Sequence, residues 1–260
     1  MLKISTFCFA VPVYVILLEA SKRGAAMIYV MSDIHGNLKR FNSVMRQIRL
    51  TSSDTLYVLG DVIDRFPDGI RILNRLRSME NVKLLLGNHE YMMLCLLDKT
   101  YDISGEPYEQ RRFRWYKNGG KATHDHLKHI RRSMRQELLE YLKLLPLQYD
   151  IDIGGRRYVL VHAAPAELFP YADTSCTDVK RFAVWDRKSI FDTLPDSYTL
   201  VFGHTPTNRF QPSNPLKIWH GDRRIGIDCG CGFPDPGSDA SEQGRLACLR
   251  LDDMREFYSE

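Results

Sequence analysis

Apolar runs long enough to cross a bilayer are missing from this chain. Phe7 to Leu18 is apolar for 12 residues and is interrupted by Pro12, whereas a spanning helix needs roughly 20. A stable membrane association is therefore not expected. Charge of one sign is also missing: 36 Lys and Arg stand against 32 Asp and Glu, a formal +4. That is too little for a nucleic-acid binder, yet compatible with an anionic substrate. Cysteine is scarce. The six, Cys8, Cys95, Cys176, Cys229, Cys231 and Cys248, form no C-x-x-C pair, which excludes a zinc ribbon or a thioredoxin-type site. They are expected to be reduced thiols of a cytoplasmic protein, with Cys229 and Cys231 alternating at a strand end. Internal repeats, low-complexity tracts and an interdomain linker are absent too. What is present, 44% hydrophobic and 26% charged residues over 260 positions, excludes disorder, collagen and coiled coil and suffices for one α/β domain with a full core.

Residues 1–26 read as an N-terminal extension. Lys3 before the apolar run, with Leu18 and Ala20 after it, gives a weak signal-peptide look, but Lys22 and Arg23 follow without a clean small-x-small cleavage site. Lys22-Arg23-Gly24 can be encoded by a purine-rich, ribosome-binding stretch just ahead of Met27. The expectation is a start read too early and a folded domain over 27–260.

Downstream, Ile28–Met31, Thr55–Leu59 and Val82–Leu86 are short β-branched runs. Each is followed by a loop and by apolar residues at helical spacing, over Leu38–Leu50, from Ile70 to Arg77, and over Tyr91–Leu97. Three βα units predict a largely parallel sheet with ligands at its carboxyl ends. Residues 98–146 lose strand signals and read as a helical insertion. Nine Lys and Arg between Arg111 and Arg135 face a single acid, Asp125, as on a solvated helical face or a docking surface for an acidic or phosphorylated partner. His124, His126 and His129 there read as surface histidines. Strands return at Gln148–Ile153, Tyr158–His162, Tyr198–Phe202, Leu216–Trp219, Arg224–Asp228, Arg245–Leu251 and Arg255–Tyr258, predicting a second, mixed sheet. Gly154-Gly155 and Gly221-Asp222 read as turns, and Phe233–Gln243 as a surface loop.

Five strand ends terminate in residues that bind metals: Asp33-x-His35, Gly60-Asp61-x-x-Asp64-Arg65, Gly87-Asn88-His89-Glu90, His162 and Gly203-His204. A single histidine at a strand end is usually structural, but five in series predict convergence on one rim. Asp33, Asp61 and Asn88 are separated by 28 and 27 positions, about one βα repeat, so the motifs fall on adjacent strands. Carboxylate and amide oxygens mixed with imidazole suit Mn2+, Fe or Zn2+ better than a thiolate site would. A carboxylate such as Asp61 can bridge two ions about 3.5 to 4 Å apart.

These motifs, with Thr205, Trp115 before Asn118-Gly119-Gly120, Trp185-x-Arg187 and Ile227-Asp228, resemble the signature of the calcineurin-like metallophosphoesterases. The likeness is to their phosphoprotein phosphatase branch of bacterial and phage type, and it covers nearly all of Met27 to Leu251. The fold it implies is an α/β sandwich of two mixed sheets flanked by helices, four layers αββα. Carried over by position, the resemblance assigns Asp33, His35 and Asp61 to a first metal and Asp61, Asn88, His162 and His204 to a second, most readily Mn2+. It makes His89 the general acid, Asp64 its orienting carboxylate, and Arg65, Arg187 and Asn88 the phosphate grip, with Arg209 as an alternative fork to Arg187. Two cations make hydroxide available near neutral pH, a carboxylate-held imidazolium protonates the leaving oxygen, and an arginine fork matches two phosphate oxygens. The resemblance implies transfer directly to water. Ser32, Phe66 and Ala163-Ala164 depart from the family pattern but remove no ligand.

Within that resemblance the expected substrates are phosphoserine and phosphothreonine proteins, with phosphotyrosine open. Glu90 reads as structural, and it separates the chain from a related branch, the symmetrical diadenosine tetraphosphate hydrolases, where Asp is typical. A catalytically silent metal-binding module is the third reading, but all six ligands and the acid are present. No nucleic-acid partner and no eukaryotic-type regulatory subunit are expected.

Overall fold

Period-two apolar patterns build two sheets whose side chains alternate between three cores. The computed structural model describes residues 26–260 except 102–104, 173–175, 177, 193, 212, 214–215 and 234–243, and leaves aside the side chains of Ser189 and Asp192. Residues 1–25 of the expected extension, Cys8, and nearly all of the expected loop 233–243 therefore lie outside the described residues. Among the described residues no helix is long and apolar enough to cross a membrane.

The elements run β1 (Ile28–Met31), α1 (Leu38–Ile48), β2 (Thr55–Val58), α2 (Gly69–Arg77), β3 (Val82–Leu84) and α3 (Asn88–Leu97). The insertion follows as α4 (Tyr108–Lys117), α5 (Lys121–Lys128) and α6 (Arg132–Lys143). Then come β4 (Gln148–Ile153), β5 (Arg156–Val161), α7 (Val179–Trp185), α8 (Ser189–Asp192), β6 (Thr199–Phe202), β7 (Trp219–Gly221), β8 (Arg224–Gly226), β9 (Ala247–Arg250) and β10 (Arg255–Tyr258). Two short 3-10 turns, Ala166–Tyr171 and Thr207–Arg209, complete the chain.

One sheet has the order β10-β9-β1-β2-β3 and the other β4-β5-β6-β8-β7. β1, β2 and β3 are mutually parallel, as are β5, β6 and β8, with antiparallel strands at the edges. In β1 and β2, Tyr29, Met31, Leu56 and Val58 face the helices α1 to α6, while Val30, and Leu59 just after β2, face the other sheet. In β5, Tyr158 and Leu160 meet that inter-sheet core and Val159 and Val161 pack outward against α7 and α8. Three cores between four layers define the αββα sandwich. Each fully buried Val or Leu contributes about 1.5–3 kcal/mol. A one-residue slip would exchange the cores of a whole strand, so register is strongly fixed.

Three differences from expectation bear on the site and its sheets. β9 and β10 belong to the first sheet: β9 pairs antiparallel with β1, Met31 opposite Cys248, and sends Ala247 and Leu249 into the inter-sheet core. This covers the edge that β1 would otherwise leave unpaired. The strand expected at Leu216 begins only at Trp219, because Leu216 has φ 57 and cannot lie in an extended ladder; the turn is then Asp222-Arg223. Finally, α3 begins at Asn88 and not at Tyr91, so Asn88 and His89 stand on a helix's first turn. Cys95, Cys176, Cys229, Cys231 and Cys248 are free thiols.

Candidate active site

The carboxyl ends of β1, β2, β3, β5 and β6 deliver their motifs to one point, and the backbone there is strained to do it. Asp33, His35, Asp61, Asp64, Arg65 and His204 all have positive φ, between 51 and 73, a region non-glycine residues enter at a cost of about 1–3 kcal/mol each. Cross-links between the loops hold them: His35 N–H donates to the Asp61 carbonyl at 2.9 Å, and His204 N–H donates to Asp33 Oδ2 at 2.9 Å. Glu90 is the largest of these anchors. Its Oε2 accepts from Asp61 N and Gly87 N, and its Oε1 from Val62 N and Ile63 N, at 2.9–3.2 Å. Only glycine fits at position 87, since a Cβ there would lie 2.3 Å from Asp61 N.

Asp61 is the hub. Its Oδ2 lies 3.8 Å from His35 Nε2 and 3.8 Å from His89 Nε2, and its Oδ1 lies 3.5 Å from His162 Nε2. Asp33 Oδ1 is 3.8 Å from His35 Nε2. On the far side, Asn88 Oδ1 is 2.9 Å from His162 Nε2 and 2.8 Å from His204 Nδ1. Two groups of donors, His35, Asp61 and His89, and Asp61, His162 and His204, are close enough to hold an ion each, sharing Asp61.

The donors fit divalent cations. His35 Nδ1 lies 3.2 Å from the Ile63 carbonyl and His162 Nδ1 lies 2.7 Å from the Leu59 carbonyl. A carbonyl only accepts, so each Nδ1 donates and each Nε2 presents a lone pair to the cluster. The lone pair of His162 faces Asn88 Oδ1, another acceptor. His204 Nε2 is buried and has no hydrogen-bond partner among the described residues. Burial pushes the carboxyls of Asp33, Asp61 and Asp228 up, and Asp33 is raised further by Asp61. Buried acceptors and crowded carboxylates of this kind need a cation to be stable as ions. Protons compete with that cation, so affinity should rise with pH. We expect the Kd for Mn2+ to weaken about tenfold per pH unit below about 6 for each proton released, measured by calorimetry between pH 5.5 and 8. A pH-independent Kd would contradict the protonated carboxyls.

His89 sits in a cage of its own. Its Nδ1 is 2.7 Å from Asp64 Oδ2, and Trp115 Nε1 donates to the same oxygen at 2.7 Å. Thr123 Oγ1 accepts from Asp64 N at 3.0 Å. Burial holds His89 down to about 4 and raises Asp64 to about 7. Trp115, fully buried, is placed by Gly120, where a Cβ would stand 2.3 Å from the indole ring. This explains the Trp115 and Asn118-Gly119-Gly120 motif, whose role the sequence alone did not disclose. His124, expected as a surface histidine, is half-buried and stacks on Trp115 with ring centroids 5.5 Å apart. The helical insertion thus supports the centre from behind.

Arg65 lies exposed at the mouth, its backbone N–H donating to the Gly119 carbonyl at 3.1 Å. Arg187 is also exposed and is held below its ordinary range by partial burial and by Arg209, with Asp228, Asp33 and Asp61 opposing. Arg187 therefore faces the cluster, and Arg209, the alternative candidate for that fork, lies close enough to Arg187 to repel it. All ten residues singled out from the sequence meet here. Trp115, Thr123 and Asp228 join them, and only Asp228 had stood in a motif with a ligand-type side chain.

Known proteins resemble this chain in sequence and in fold. The family model for calcineurin-like phosphoesterase matches residues 26–229. A symmetrical bis(5'-nucleosyl)-tetraphosphatase of Proteus mirabilis is 32% identical over 88% of this chain and 96% of its own length. Serine/threonine-protein phosphatase 2 of Salmonella typhimurium is 27% identical over 68% of this chain and 78% of its own. Against two tetraphosphatases of Acidovorax species the match spans only 43% of their length. A metallophosphoesterase from Sphaerobacter thermophilus shares the fold with a TM-score of 0.52, at 17% identity over 91% of this chain and 88% of its own.

Proposed function

The chain belongs to the calcineurin-like phosphoesterase family, and from that premise we propose that it hydrolyses the phosphoanhydride chain of a dinucleoside polyphosphate by direct transfer to water. The observation that carries this substrate is the 32% identity to the Proteus mirabilis tetraphosphatase over nearly that protein's whole length. A second reading, a protein phosphatase acting on phosphoserine and phosphothreonine, is favoured by the likeness to the Salmonella typhimurium phosphatase. Glu90 does not decide between them. It is 1% exposed and spends its oxygens on backbone N–H groups, so it touches no substrate.

Divalent ions, Mn2+ by preference for this donor set, would supply an acidified water and a screen for phosphate charge. Asp33, His35 and Asp61 would hold one, and Asp61, Asn88, His162 and His204 the other. Arg65 and Arg187 grip phosphate oxygens from the rim. His89 hands a proton to the leaving oxygen where that oxygen is basic, as in an alkyl phosphate; the negative charge of the bound phosphate raises its affinity for that proton, and Asp64 holds the ring through Nδ1. Trp115 acts through Asp64. Trp115→Phe removes one donor to a buried carboxylate and should cost about 1–3 kcal/mol of stability. It should also slow kcat on the order of tenfold for an alkyl phosphate, with p-nitrophenyl phosphate spared because its leaving group needs no acid. Equal losses on both esters would leave Trp115 a packing residue only.

The reading is tested by offering the Mn2+-loaded protein diadenosine tetraphosphate and a phosphoserine peptide at matched concentration. ADP release from the dinucleotide at the greater kcat/KM supports the first reading; preference for the peptide overturns it in favour of the second.

A further inference from the structure

Asn88 and His89 occupy the first turn of α3, and one turn further on the same helix lines a separate cavity of about 230 Å³. Tyr91 forms one wall, Arg111 and Arg114 of α4 a second, and Arg181 and Trp185 of α7 a third. Trp185 is shared with the candidate metal centre, its ring standing edge-on to that of His204 with centroids 5.7 Å apart. The cavity is therefore the next space along the rim from the reacting phosphate. Its cations are held in place: Arg111 Nη1 donates to the Cys95 carbonyl at 2.6 Å, and Arg114 pairs with Glu106. Tyr91 is fixed by donating its hydroxyl to Asp178 at 2.7 Å. Arg181 is exposed at the edge.

Three guanidinium groups around so small a space, opposed by Glu106 and, behind Tyr91, by Asp178, make an anion site. A cavity of about 230 Å³ is below the roughly 300–1,000 Å³ that encloses a whole small-molecule ligand, so it suits one compact part of a larger substrate. Several arginine forks in that volume match the oxygens of a phosphate better than the single carboxylate of an acidic side chain. Tyr91 and Trp185 add aromatic surface beside them.

We propose that the cavity between α3, α4 and α7 is a subsite for the non-reacting phosphates of a phosphoanhydride substrate, with Arg114 and Arg181 as its specificity residues. This rests on the dinucleoside polyphosphate reading and gives it a place in the molecule. Binding energy from the remote phosphates aligns the scissile one over the ligand cluster, whereas a simple ester has nothing to place there.

The test compares wild type with Arg181→Ala and Arg114→Ala in the Mn2+-loaded protein. Loss of one charge-assisted contact should raise KM for diadenosine tetraphosphate roughly tenfold or more, with kcat and KM for p-nitrophenyl phosphate unchanged. Calorimetric titration of ADP, which needs no turnover, should show the same loss of affinity. Because Arg114 packs against Glu106, Arg181→Ala is the variant that stays interpretable if Arg114→Ala folds poorly. Should wild type fail to cleave the dinucleotide yet bind ADP in an Arg181-dependent way, the subsite stands and the substrate reading falls. Should both variants bind ADP and cleave the dinucleotide as wild type does, the subsite falls and the reading stands. A KM that rises for an acidic phosphopeptide and not for the dinucleotide would assign the cavity to protein substrates and overturn the proposal.

Discussion

Asp61→Asn should reduce turnover to below about 1% and lower the bound divalent ions, because the carboxylate that, among the described residues, belongs to both donor groups is lost. The metal-free fold should not suffer. Asn keeps an oxygen at Oδ1 for the His89 N–H that Asp61 accepts at 2.9 Å, and it removes a carboxyl that burial already pushes up. The melting temperature without metal is therefore expected to hold or rise, while the increase on adding Mn2+ shrinks. Metal content by elemental analysis and thermal melts with and without Mn2+ check both halves. Undiminished ion content with full turnover would remove Asp61 from the centre of the site.

His89→Asn should lower kcat for an alkyl phosphate by about 10²–10⁴, the range for loss of a general acid, and leave the ions bound. The outcome matters because distance alone leaves two roles open. His89 Nε2 stands 3.8 Å from Asp61 Oδ2, the same separation as His35 Nε2, so on geometry it is also a candidate ligand. Its Nδ1 bond to Asp64 would orient a ligand as well as an acid. Loss of one ion from His89→Asn would make it a ligand, whereas retained ions with a larger loss on alkyl than on aryl phosphates would make it the acid.

Much of the centre is legible in the sequence because its residues lie at strand ends, where a local apolar run announces the position of the next polar side chain. The run Ile28–Met31 is a strand as expected, the runs Thr55–Leu59 and Tyr198–Phe202 are strands one residue shorter, at Thr55–Val58 and Thr199–Phe202, and the motifs after them converge. Tyr158–His162 was shifted by only one or two residues, to Arg156–Val161. What stayed hidden were partners distant in the chain. Trp115 is 51 positions from Asp64 and Thr123 is 59, and nothing in a helical insertion rich in charge marks those two as supports of a buried carboxylate. Glu90 is structural as read, but the substrate distinction drawn from it does not hold. Its place beside His89 invited a substrate argument, while its side chain turns inward to four backbone N–H groups.

The sequence by itself determined the alternation of strands and helices, the helical segment between α3 and β4 and which metal-type side chains stand at the strand ends. Each of these is written in short-range periodicity or in residue type, and neither depends on distant neighbours. Only the tertiary structure decided that β9 and β10 close the first sheet, that Trp115 reaches Asp64, and that Arg111, Arg114 and Arg181 surround a cavity next to His204. Those facts depend on which surfaces bury one another, and burial is a property of the whole packed chain, in which residues far apart in order become the nearest atoms in space.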